Sequence, residues 1–191
     1  MARIELIAPQ DLSEVTLGQW MKLQRMKDPT PQQVVGLLCD GDLRSIPKRE
    51  LDYIYNSLME MLSQDLADFK PTIELEGKMF GLADFANLTT GEYIDTEAFA
   101  LNEQIDNLFC VLYRPIKHIA GDSYEVEEYH ERHLENAETI RELPMTLVNG
   151  VLVFFSTIEN EYLKSSQASS LRVMKEKVKE AKQMVGAGTE H

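Results

Sequence analysis

With 191 residues, 43% of them hydrophobic and 27% charged, the chain has material for one medium domain or two small ones, and is too apolar for general disorder. Its 32 acidic against 19 basic residues leave a net charge of -13, and the pI is near 4.7. A surface of that sign repels phosphate backbones, which argues against nucleic-acid binding. It suits solubility first and a basic protein partner second.

Met1–Gln10 lacks the basic start and apolar core of a signal peptide. The most apolar stretch, Val148–Phe155, falls far short of the ~20 residues that a bilayer needs. Cys39 and Cys110 each sit in an apolar run, as buried free thiols do. These features predict a cytoplasmic protein with no membrane contact.

Residues 1–13 read as a loose lead-in. Thr16 with Gln19 forms a capping box, in which each residue satisfies an orphan backbone donor of a helix's first turn. A short helix follows and is broken at Asp28-Pro29-Thr30-Pro31. Thr30 caps a second helix with Pro31 in its first position, carrying Val34, Val35, Leu37 and Leu38. Ser45-Ile46-Pro47 opens a longer helix to about Gln64, with Leu51, Ile54, Tyr55, Leu58, Met61 and Leu62 at helical spacing. Residues 14–70 thus form a first helical unit.

The period then changes to two. Thr72–Phe80 alternates apolar with polar about Gly77, a β-hairpin pattern. A second capping box, Thr89 with Glu92, starts a helical stretch through Ile105, Leu108, Phe109, Val111 and Leu112, which Tyr113-Arg114-Pro115 ends. Arg114 is placed to cap the last carbonyls or to pair with the acidic insertion that follows. A small hairpin around Gly121-Asp122 and a polar helix from about Glu128 to Glu142 make a polar insertion at about 115–141. Leu143-Pro144 then opens a strongly apolar helix to about Leu163. Together 71–163 read as a hairpin plus a second helical unit, and 164–191 as a polar linker and a basic terminal helix.

The halves echo each other. Val15–Met21 aligns with Leu88–Ile94, Leu37-Leu38-Cys39 with Leu108-Phe109-Cys110, and Ile46-Pro47 with Leu143-Pro144. Duplication of a three-helix unit explains this economically; coincidence among common capping signals is the alternative. The expected fold is mainly α, a helical bundle with small β-hairpins.

No phosphate-cradling loop, nucleophile elbow or Cys-x-x-Cys pair is present. The best metal candidate is His130 with His133, three apart, with Glu127 and Glu131 near and His118 within reach of a folded-back hairpin. Zinc needs a fuller ligand set, and the plainer reading is a solvated polar helix. No cofactor and no enzymatic activity are expected, with a metal protein or enzyme centred on His118, His130 and His133 as the rival. Trp20 and Tyr93 follow the two capping boxes at matching places; they either anchor a partner or pack each helix start on the core. Leu171, Met174, Val178, Ala181 and Val185 space a narrow apolar seam along a basic helix, a candidate association surface.

Several phrases carry a family resemblance: Leu88-Thr89-Thr90-Gly91-Glu92-Tyr93-Ile94-Asp95, Val111-Leu112-Tyr113-Arg114-Pro115-Ile116, and Leu143-Pro144-Met145 followed by Gly150–Phe155. They resemble a group of tailed-bacteriophage proteins, tail-assembly chaperones and small virion structural proteins of the head–tail region. In that group the threonine phrase follows a short glycine–lysine hairpin, here Leu75–Phe80. The resemblance covers roughly 70–163, with a weaker echo from residue 14. It implies phage morphogenesis: partners among other phage structural proteins, tail proteins included, and a place in the host cytoplasm during assembly or in the virion. A chaperone, a head–tail connector, a ring or tail component, and a homo-oligomer all fit. The group brings no catalytic residue, and the insertion with His130 and His133 departs from its pattern.

Overall fold

The computed structural model describes residues 6–64, 66–121, 123–154, 156 and 157. The chain divides into two units, Met1–Val151 and Leu152–His191. Of the second unit, residues 152–154, 156 and 157 are helical, and the hydroxyls of Ser156 and Thr157 both donate to the Val153 carbonyl. The basic seam from Leu171 to Val185 lies outside the described residues, as does the linker before it.

In the first unit a 3-10 turn at Leu12–Glu14 leads into α1 (Leu17–Gln24), α2 (Pro31–Leu38) and α3 (Lys48–Leu62). Thr16 and Thr30 close capping boxes with Gln19 and Gln33. The longer helix starts at Lys48 behind Pro47, with no side-chain cap. Next come β1 (Thr72–Leu75), β2 (Lys78–Leu82), α4 (Thr90–Leu101) and α5 (Ile105–Leu112). They are followed by β3 (Tyr113–Ala120), β4 (Ser123–Val126), a 3-10 turn at Glu131–Asn136, and α6 (Ala137–Ile140). Residues 145–151 are helical. The polar stretch read as one helix is therefore two short pieces after residues 127–130, which are neither helix nor strand.

The expected helical bundle with minor hairpins is wrong. The two hairpins join into one four-stranded antiparallel sheet, order β1-β2-β3-β4, and the fold is α+β. A lone two-stranded hairpin is marginal in water, and the join supplies what each lacks. Phe80, Gly81 and Leu82 of β2 pair with Pro115, Arg114 and Tyr113 of β3, burying Phe80, Leu82 and Tyr113. Gly81 admits the Tyr124 ring, because a Cβ there would lie 2.4 Å from it. Tyr113-Arg114-Pro115 reads as a helix stop, yet it also begins a strand with no loop between. Pro115, without an N–H, is tolerated beside the irregular register between Ile116 and His118. The β1–β2 turn places Glu76 and Gly77 at φ 50 and 74, the positive values a two-residue hairpin loop demands.

The core centres on α5, where six of eight residues are buried, Leu108 to Leu112 among them. A helix apolar on all sides needs neighbours on all sides. Here α4, α6, the Glu131–Asn136 turn and β3 supply them.

The halves share hydrogen bonding, though not as the three-helix unit expected. At a constant offset of 73 residues, Ile7 corresponds to Phe80, the turn Leu12–Glu14 to Phe85–Asn87, and Thr16 to Thr89. Each copy opens with an extended residue paired antiparallel to the chain leaving its second helix, Ile7 with Asp40 and Phe80 with Pro115. Farther on the offset is 97, enlarged by the β3–β4 hairpin and the turn after it. The Ile46 N–H bonds Leu43, and those of Glu50 and Leu51 bond Pro47; likewise Leu143 bonds Ile140, and Leu147 and Val148 bond Pro144.

Candidate functional site

Helix α4 is inverted. Its side toward the protein holds polar groups beside the half-buried Phe99: Glu92 and Thr96 are 5% and 2% exposed, and Asp95 accepts from the Tyr129 hydroxyl at 2.9 Å. Its side toward solvent is apolar: Tyr93, Ile94 and Leu101 are 51%, 57% and 81% exposed. Thr90, Tyr93, Ile94, Glu97 and Leu101 fall at three- and four-residue spacings, so they share one face. Surface helices ordinarily do the reverse.

The polar side is held by charge and hydrogen bonding. Glu92 closes the capping box by accepting from the Thr89 N–H at 2.6 Å through one carboxylate oxygen. Through the other it takes the Arg114 guanidinium at 2.6 Å. Burial alone would raise this carboxyl's pKa, but the Thr89 bonds and Arg114 together hold it below its ordinary value. Arg114 therefore neither caps α5 nor meets the acidic insertion; it neutralises a buried cap. Its Nε has no acceptor among the described residues. The Thr96 hydroxyl bonds back to the Glu92 carbonyl at 2.7 Å, which satisfies it where it is buried.

A second buried carboxylate, Asp106 in the first turn of α5, takes Arg141 at 2.8 Å. The Arg141 carbonyl in turn accepts from the Gly18 N–H at 2.8 Å.

Trp20, at the place in α1 that Tyr93 holds in α4, lines an open groove of about 670 Å³ with Leu23, Met26, Val34, Tyr55 and Met59. It is half-buried, whereas Tyr93 stands out from the surface. Of the two readings of these aromatics, packing on the core does not describe Tyr93.

The histidines do not assemble. His118 is exposed on β3. His133 is buried; its Nδ1 accepts from the His130 N–H at 3.0 Å and its Nε2 faces Glu127 at 3.3 Å, so both ring nitrogens are engaged. The His130 and Tyr129 rings each stack on His133, with ring centroids 6.1 Å apart in both pairs. Among the described residues no three His, Cys, Asp or Glu side chains are grouped to hold a metal ion. Cys39 and Cys110 are free and buried, and burial pushes the Cys110 thiol up to about 12.

Compared with models of protein families, with curated proteins and with solved structures, the chain matches none. Among the described residues no helix is long and apolar enough to cross a membrane.

Of the exposed face of α4 the sequence marks Tyr93 as a candidate anchor but not Ile94 or Leu101, because apolar residues at this spacing are ordinarily a core stripe. The signal that could have found it is the opposite side of the helix. Glu92, Asp95 and Thr96 are all polar, and with Arg114 available they can be buried as a satisfied set.

Proposed function

We propose that this chain works by binding other proteins, with the outer face of α4 as a principal contact. The observation that carries the reading is the inversion of that helix. Three large apolar side chains on a single helix turn outward while a charged pair is kept inside. Large apolar side chains exposed together on one helix face mark interaction sites, and helix-face recognition reads side chains at three- and four-residue spacing. The groove beside Trp20 offers a second apolar surface, and its methionines Met26 and Met59 suit varied partners.

The resemblance of Leu88–Asp95 and the neighbouring phrases supports a setting in phage morphogenesis, first as a tail-assembly chaperone covering apolar segments of unassembled tail protein. A virion structural subunit is the second reading, favoured by the repeated, open docking segments described below. The test is photocrosslinking from position 93 in the full chain during phage production, with mass spectrometry of the adducts and of purified particles. Adducts to phage structural proteins support the proposal, and the protein's presence in particles selects the virion reading. Absence of any adduct, together with unchanged particle yield from a Tyr93→Ser, Ile94→Ser, Leu101→Ser variant, would overturn it.

A further inference from the structure

We infer that this chain binds a second copy of itself head to tail, α4 of one copy meeting the segment Arg44–Lys48 of the next. The inference rests on the reading of α4 as a docking helix and names its partner.

A seam of three backbone hydrogen bonds joins the two halves of the chain. The Leu17 N–H donates to Leu143, the Gly18 N–H to Arg141, and the Met145 N–H to Val15, each at 2.8 Å. These bonds satisfy two first-turn donors of α1 and the first donor of the helix over 145–151, none of which has a partner inside its own helix. Through the two offsets, Leu88, Thr90 and Gly91 correspond to Val15, Leu17 and Gly18. Arg44, Ile46 and Lys48 correspond to Arg141, Leu143 and Met145. A second seam is therefore written into the chain: Thr90 N–H to Ile46, Gly91 N–H to Arg44, Lys48 N–H to Leu88. None of these bonds is made, and among the described residues none of the six groups has another backbone partner. Thr90, Gly91, Arg44 and Lys48 are exposed. Each copy thus closes one seam internally and presents both halves of another.

Glycine supports the pairing independently. A Cβ on Gly18 would lie 3.2 Å from the Arg141 Cβ and 3.3 Å from its carbonyl, so glycine there leaves room for the close approach of the seam. Gly91 has nothing within 4 Å, and glycine in a helix is otherwise a loss of stability. Nothing within one copy explains Gly91; an approaching Arg44 segment does. Charge agrees as well. On α4 the exposed charge is Glu97, since Glu92 is paired with Arg114 and Asp95 with Tyr129, and the helix has no cation; the other segment exposes Arg44, Lys48 and Arg49 beside Glu50. Arg44 is held locally by Asp42 at 3.0 Å and remains solvent-exposed. Opposite charges at the two ends favour encounter in this orientation. Two different surfaces meet, so the contact is heterologous, and it builds an open chain or a closed ring.

The test is the oligomeric state of the full chain by sedimentation and light scattering across concentration and salt, with two single variants. Gly91→Gln fills space that is open in one copy and blocks the α4 end. Lys48→Pro removes the donor at the other end; it falls at the first helical position, behind a Pro47 whose φ of -58 and ψ of 140 suit a following proline. Both variants should keep the melting temperature of the parent. The intact chain should form species beyond dimer that dissociate as salt rises, and each variant alone should be monomeric. Mixed one to one, the variants should restore a dimer and nothing larger, since each retains the opposite end. A monomeric intact chain, variants that associate like the parent, or a mixture that stays monomeric would each overturn the inference. If an intact monomer still crosslinks phage structural proteins from position 93, this inference fails while the proposed function stands.

Discussion

Arg114 on β3 donates to Glu92 on α4 at 2.6 Å with both side chains buried, so the cap of a surface helix is bonded to a central strand of the sheet. Removing one partner of such a pair leaves an uncompensated buried charge. Arg114→Ala should therefore destabilise by about 3–5 kcal/mol, and a Glu92→Leu, Arg114→Met pair should recover much of the loss apart from the cap. Urea denaturation of the singles and the double checks this. Additive losses would show that the pair is not coupled.

The depressed pKa of Glu92 fixes the sign of a pH effect. The unfolded chain binds the proton more readily, since its carboxyl keeps the ordinary value of about 4.3. The stability Glu92 contributes is fully present above that value and is lost as pH falls through the lower folded value. Glu92→Gln should flatten this part of the stability profile while keeping the capping box, which Gln19 and Gln33 close elsewhere in the chain. Denaturation across acid pH gives the two slopes. Equal slopes would show that Glu92 titrates normally in the folded state.

Thr16, Thr30 and Thr89 each close a capping box at the start of an α-helix. Thr16→Ala and Thr89→Ala should each destabilise by about 1 kcal/mol. Thermal unfolding resolves a change of this size in a chain of this length. No shift in either would mean that water replaces the lost hydroxyl at no cost.

Gly18 and Gly91 occupy equivalent positions in different surroundings. Gly18→Ala presses on the Arg141 backbone and should destabilise by about 1–3 kcal/mol, the usual cost of overpacking. Gly91→Ala meets open space and should be neutral or stabilising by up to about 1 kcal/mol, because alanine is the better helix former. Denaturation at low protein concentration, where self-association is suppressed, compares them. Equal losses would contradict the asymmetry of the two helix starts.

Local signals were legible in the sequence. Thr16 with Gln19 and Thr89 with Glu92 stop and start the backbone by short-range hydrogen bonds that need no knowledge of the rest of the chain. Likewise Glu76-Gly77 marked a turn, and the unbroken apolar run Leu108–Leu112 marked a core helix. The echo between Val15–Met21 and Leu88–Ile94 was visible too, since corresponding residues are a matter of order alone.

The tertiary structure decided what lies between distant residues. That β2 and β3 join depends on Gly81 admitting Tyr124 and on Tyr113 finding a buried place, and no local pattern encodes either. The sequence spaced Tyr93, Ile94 and Leu101 along one face; which face would be buried followed from Arg114, 22 residues beyond Glu92. A buried carboxylate is prohibitive alone and acceptable beside a guanidinium. Once that pair formed inside the protein, the apolar side of α4 had to face outward.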